Sequence, residues 1–235
     1  MIISANQPYF APFPGFFTKA LLADVLVILD EVQFPHRTTW IRRNRFKNDQ
    51  GELWLTIPVW KKGLGDQKIN QVRICYERSW PHKHLESLKS AYGNAPYLED
   101  HLGFLEELFA ASFDRLIDLN LAMIRYLLDC LKIGTRLVLL SELGVTARGT
   151  QLLIEVCKAI GATYFLAQSP ARKYLDPELF QQEGIDLRFF RYVPPVYPQL
   201  WGEFLANLST LDLVLHCGPK APAILMRHLR LCPHC

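Results

Sequence analysis

The sequence predicts an α/β fold: a mostly parallel, Rossmann-like sheet with helices on both faces and a helical insertion. Three observations lead there. Short apolar runs such as Val25-Leu26-Val27-Ile28-Leu29, closed by Asp30, read as strands buried on both faces. The run Ile2-Ile3-Ser4-Ala5, a Pro/Gly loop, a short amphipathic stretch and residues 25–29 follow each other as a βαβ unit does. Residues 80–131 instead carry continuous helical stripes.

In chain order, residues 2–5 form the first strand. The loop from Gln7 to Gly15 contains Pro8, Pro12 and Pro14, which exclude a helix or central strand. Phe17, Ala20 and Leu21 recur at helical spacing over residues 16–23. Residues 53–59 make a third strand and 69–75 a fourth, separated by the turn-rich Lys61-Lys62-Gly63-Leu64-Gly65-Asp66. In the helical block, Leu102, Leu105 and Leu108 form one stripe, and Leu116, Leu119, Met123, Leu127 and Cys130 another. Beyond it, residues 136–140 predict a strand and 149–160 a helix stopped by Gly161 in the left-handed conformation. Residues 163–166 and 187–192 predict strands. Pro194, Pro195 and Pro198 make the next segment irregular, and a last helix falls at 208–215 or 221–229. The expected organisation is 1–79 as the first half of the sheet, 80–131 as helical insertion or subdomain, 132–218 as the second half, and 219–235 as a tail.

Composition narrows the function classes. With 26 Lys+Arg against 23 Asp+Glu in 235 residues, no global positive field argues for DNA binding. Six cysteines, scattered except for Cys232 and Cys235, fit reduced thiols in a cytoplasmic protein better than a disulfide scaffold. No run approaches the roughly 20 apolar residues of a membrane span, and no secretion signal opens the sequence.

Three segments carry chemistry. The loop after the first strand lies where open α/β sheets bind ligands, and Gly15 at the mouth of a helix permits close backbone approach to an anion. Gln7, Tyr9 and Lys19 offer an amide, a hydroxyl and a cation there; alternatively the aromatics seal the sheet end and Lys19 is solvated. Asp30, with Glu31 and Gln33 beside it, ends a buried strand and could bind a ribose, hold a metal, act as a base or cap the next turn. Adjacent acids in a strand point to opposite faces, so Asp30 and Glu31 do not form a pair. The stretch Arg37-Thr38-Thr39-Trp40-Ile41-Arg42-Arg43-Asn44-Arg45-Phe46-Lys47 has five cations and no acid. It suits phosphates, with Trp40 and Phe46 able to stack a base, or it is a solvated basic loop.

Gln7-Pro8-Tyr9, Pro12, Gly15-Phe16-Phe17, Lys19, Ala23-Asp24, Val27-Ile28-Leu29-Asp30 and Val32-Gln33-Phe34 resemble the opening signature of the WbqC-like family. The resemblance continues through Arg43-Asn44-Arg45, residues 54–59, Trp80, His84, Ala91-Tyr92, Asn120, Ser141-Glu142-Leu143, Tyr174-Leu175-Asp176, Tyr197-Pro198-Gln199 and Leu211-Asp212. It implies a place among polysaccharide and O-antigen biosynthesis proteins, without a settled reaction. It also singles out His84 over His82 and reaches Tyr197 and Gln199, while Ser141, at the end of the strand over 136–140, either faces a ligand or caps a helix. Similar proteins carry a Ser-Gly pair where this chain has Ala167-Gln168, before Ser169-Pro170-Ala171-Arg172. By fold-level analogy to the HxGH nucleotidylyltransferases and class I synthetases, Ser169 and Arg172 would stand across from the first helix, although Phe16 replaces the histidine after Gly15.

The residues therefore lead to a transferase or ligase for acyl, aminoacyl or nucleotidyl transfer. Gln7, Tyr9, Lys19, Asp30 and His84 are the catalytic candidates. Gly15, Gln33, Arg43, Asn44, Arg45, Ser141, Ser169, Arg172, Tyr197 and Gln199 are the candidates for binding an anionic substrate such as a nucleotide or nucleotide sugar. The alternative is a non-catalytic module for nucleic acid or a protein partner. Cys217, His228, Cys232 and Cys235 could hold one zinc ion, but the second well-spaced pair of a strong zinc signature is missing.

Overall fold

The structure, a computed structural model, describes residues 1–37, 39–227 and 229–231. Six strands form the main sheet in the order β5-β2-β1-β6-β7-β8: β1 (Ile2–Asn6), β2 (Val25–Ile28), β5 (Arg136–Leu139), β6 (Tyr164–Gln168), β7 (Asp186–Tyr192) and β8 (Leu229–Leu231). The first five are parallel, and β8 pairs antiparallel with β7 at one edge. Helix α1 (Pro14–Leu21) connects β1 to β2, with Ile3 opposite Val25. A parallel neighbour requires such a crossover, and Pro14 at the first helical position starts it without losing a bond.

The apolar run of β2 is split by its period of two. Leu26 and Ile28 join a core with Phe16, Phe17 and Ala20 of α1; Val25 and Val27 join a second core on the other face. That second face is covered by α5 (Gly149–Ile160) and α6 (Pro177–Gln182) through Ile154, Val156 and Phe180. Gly161 ends α5 with φ 73°. Residues 80–131 form α2 (Trp80–Tyr92), α3 (Leu98–Ala110) and α4 (Leu116–Cys130), whose apolar stripes share the first core with α1 and with α7 (Thr210–Cys217). Both late helical candidates form, since α8 (Ala221–Arg227) follows α7.

The segment 43–75 differs from expectation. Arg43–Asn48 is a strand, β3, paired antiparallel with β4 (Gly51–Thr56) in a separate two-stranded sheet. Its polar sequence conceals an inward face, Asn44 and Phe46, both fully buried. The strand expected over 69–75 does not form: Ile69–Gln71 is a 3₁₀ turn, and Val59 and Ile74 make an isolated bridge. Its apolar residues are out of phase, so a flat ladder cannot bury them together. No helix among the described residues is long and apolar enough to cross a membrane.

Candidate active site at the carboxyl rim of the sheet

Strand order reverses between β1 and β6, and the carboxyl ends of β1, β2, β5, β6 and β7 share one rim. Asn6, Asp30, Ser141, Gln168 and Tyr192 end or immediately follow these strands. The proline loop between β1 and α1 is held in place from several directions. Asn44 Nδ2 donates to the carbonyls of Phe10 (3.0 Å) and Ala11 (2.7 Å), and Asn120 Nδ2 to those of Pro8 (2.8 Å) and Ile41 (2.7 Å). Phe10 N–H reaches the Trp40 carbonyl, and Thr210 N–H the Pro12 carbonyl. These donors satisfy a buried loop that cannot pair with itself, and Ala11 is fixed at φ 41°. Asn44 is therefore a scaffold for the loop rather than a group free for phosphate.

Lys19 stands at the tip of the central strand. Its Nζ donates to the Asn6 Oδ1 (2.8 Å) and the Ala5 carbonyl (3.1 Å), leaving one of three donors without an acceptor among the described residues. The side chain is only 8% exposed and has no carboxylate partner among the described residues. Burial lowers its pKa from 10.5 to about 8. Tyr9 adjoins this group: burial and the nearby Tyr174 hydroxyl raise its pKa, and the Asn6 side chain partly offsets them. Gln7, half-buried, accepts from Asn6 Nδ2 at its carbonyl and makes no side-chain hydrogen bond among the described residues.

Two cavities open on the rim. One of about 510 Å³ lies over the β6 and β7 ends beside the start of α1, lined by Phe13, Gln168, Ser169, Arg191, Tyr192 and Asn207 among others. Its position is that of the ligand crevice of open α/β sheets, and its volume suits a nucleotide-sized molecule. At this lining the buried Asn207 Oδ1 lacks a hydrogen-bond partner among the described residues. Burial raises the Tyr192 pKa, with partial relief from the Gly15 backbone. A Cβ at Gly15 would crowd the Phe13 ring, which would have to shift. The Gly15 carbonyl accepts from Gln168 Nε2 at 3.3 Å. Ser169 Oγ donates to the Phe190 carbonyl, and Arg172 stacks on Phe189 at 4.1 Å on the exposed side. The second cavity, about 490 Å³, lies over β2 and β5 between Glu31, Gln33, Lys68 and the loop entering α5. Glu31 is paired there with Lys68, and Gln33 Nε2 meets His36 Nε2.

Asp30 has a different environment. Its buried carboxylate accepts from the Ser141 backbone N–H (3.0 Å) and Asn70 Nδ2 (3.4 Å), joining the β2 end to the β5 end. Asp30 and Ser141 thus make a rim crosslink.

The remaining candidates line neither of these cavities. His84 Nε2 bonds the Thr56 carbonyl at 3.0 Å, and burial lowers its pKa against a smaller pull from that carbonyl. Arg43 stacks on Trp54 at 3.7 Å, and Arg45 is bound by Glu52 and by the carbonyls of Ala206 and Asn207. Tyr197 donates to the fully buried Asp212 at 2.7 Å, alongside Tyr92 at 2.8 Å, while Gln199 bonds the Leu205 backbone at both ends of its amide. His216 completes this network, Nδ1 facing the Asp212 carbonyl and Nε2 accepting from Leu200 N–H. Burial opposes charge on His216, but Asp212 outweighs it and raises the pKa, although a proton on Nε2 would break the Leu200 bond. Of the zinc candidates, Cys217 is a buried free thiol with its pKa pushed up to about 11 by burial and Asp212. His228, Cys232 and Cys235 lie outside the described residues.

Asn6, Gln168, Tyr192 and Asn207 are rim groups that sequence reasoning passed over. Asn6 and Gln168 each follow an apolar strand directly, the same signal that drew attention to Asp30.

Comparison with known proteins accords with the opening signature. The model of the WbqC-like protein family matches residues 7–224. The Uncharacterized protein Rv1507c of Mycobacterium tuberculosis (strain ATCC 25618 / H37Rv) is 30% identical over 232 residues, covering 98% of each chain. No solved structure matches the chain. The match spans the rim, the proline loop and the helical block alike, and the chain belongs to the WbqC-like protein family.

Proposed function

We propose that this protein is a cytoplasmic transferase or ligase that works at the sheet rim on a nucleotide-activated or phosphorylated substrate. The observation that carries this reading is Lys19, an ammonium buried at the tip of the central strand with only neutral acceptors. Burying a cation without an acid costs stability, so such a group is more readily explained by function than by structure. Where water is excluded, its charge acts strongly on negative charge that builds as an acyl or phosphoryl group transfers. Asn6 would orient the ammonium, Tyr9 would present a protonated hydroxyl, and the cavity over the β6 and β7 ends would seat the substrate. The link to surface polysaccharide or amino-sugar modification rests on the family resemblance.

The test uses purified protein with nucleotides, nucleotide sugars and acyl-adenylate analogues. A melting shift with at least one ligand is expected, and turnover of an amino-sugar acceptor should be lost in Lys19→Met while the circular dichroism spectrum is retained. The absence of any shift across the panel, or full turnover by Lys19→Met, overturns the reading.

A further inference from the structure

Beside the proline loop, three cations occupy one patch without an acid. Arg42, Arg43 and Lys61 form no ion pair among the described residues. The buried Nε atoms of Arg42 and Arg43 also lack hydrogen-bond partners among the described residues. Burial and then Arg43 weaken the proton affinity of Arg42, and burial and then Arg42 do the same to Lys61, as close like charges must. Fixed aromatics hold the group. Arg43 lies 3.7 Å over Trp54, Trp54 stacks on Trp40 with 5.6 Å between ring centroids, and Lys61 sits over Phe34. Trp40 remains 40% exposed, and its carbonyl is bonded to Phe10 of the proline loop.

The geometry points to a binding site for a nucleoside phosphate, with phosphate groups on Arg42, Arg43 and Lys61 and the base against the exposed part of Trp40. Self-repulsion among three cations is relieved by a multivalent anion, and an indole face stacks any base. A row of cations tracking a long backbone is absent from this compact group, which favours a single nucleotide over a nucleic-acid strand. The inference rests on the proposed function for the purpose of the ligand, since the patch adjoins the loop that carries Tyr9, but the test reads binding alone.

Titration calorimetry of the full chain with UDP, ADP, uridine, pyrophosphate and a short oligothymidylate separates the possibilities. UDP or ADP should bind better than uridine or pyrophosphate alone. Arg42→Gln and Lys61→Gln should each weaken that binding about tenfold, and Trp40→Ala by a similar factor. Lys61→Gln is a lightly built substitution that keeps the measurement available if Arg42→Gln does not fold. Undiminished binding in the folded patch variants overturns the inference. Failure of both nucleotides to bind, or tighter binding of the oligothymidylate, also overturns it. If Lys19→Met keeps full turnover and the patch variants lose nucleotide, the patch stands and the rim proposal falls.

Discussion

Replacing Lys19 by Met isolates the cost of placing an ammonium at the strand tip. A shift from 10.5 to about 8 corresponds to about 3 kcal/mol, because each pH unit is worth about 1.36 kcal/mol. The folded protein holds this proton less tightly than the unfolded chain. The cost is therefore complete below pH 8 and fades as pH climbs from 8 towards 10.5. Met removes it at all pH values but leaves Asn6 Oδ1 and the Ala5 carbonyl without their donor, roughly 1 kcal/mol each. At pH 7 the variant should be about 1 kcal/mol more stable than wild type. About 2 kcal/mol of the swing in favour of wild type falls between pH 7 and 9.5, which reverses the order. Urea unfolding of both proteins by tryptophan fluorescence, at intervals across that range, measures the difference. The other titrating tyrosines and cysteines cancel between the two. A difference that stays constant with pH would refute the reasoning, since the burden would then not be electrostatic.

Two further substitutions examine the scaffold. Asn44→Ala removes both donors to the Phe10 and Ala11 carbonyls and should destabilise the fold by about 2–3 kcal/mol in urea, because the loop's carbonyls stay buried. Asp212→Asn should cost about 2 kcal/mol and lower the His216 pKa, read by the histidine ring proton shifts; an unchanged titration would mean that Asp212 does not charge-stabilise that ring.

Most of the main sheet was legible because its strands are apolar on both faces: residues 25–29 and 163–166 need no partner information to be recognised. Helix 149–160 was legible to the residue through its periodicity and Gly161. The hairpin strand beginning at Arg43 was not, because its charged residues point outward or are neutralised by distant groups such as Glu52 and the Asn207 carbonyl. The rim position of Gln7, Tyr9, Lys19 and Asp30 followed from strand order. What occupies Asp30 did not, since Ser141 and Asn70 are 111 and 40 residues away. The same holds for Tyr197, whose partner Asp212 belongs to a buried network that local sequence does not announce.

The proline loop's fastenings have a consequence for assembly. Its carbonyls are held by donors from residues 44, 120 and 210, and β1 finds its second neighbour at β6, with Ile2 beside Tyr164. During synthesis, the nascent chain can form its first βαβ unit early, yet the loop cannot set until residue 210 has left the ribosome. Truncation before residue 210 should therefore leave a sheet fragment with an unshaped entrance, because a local turn here takes its form from distant donors.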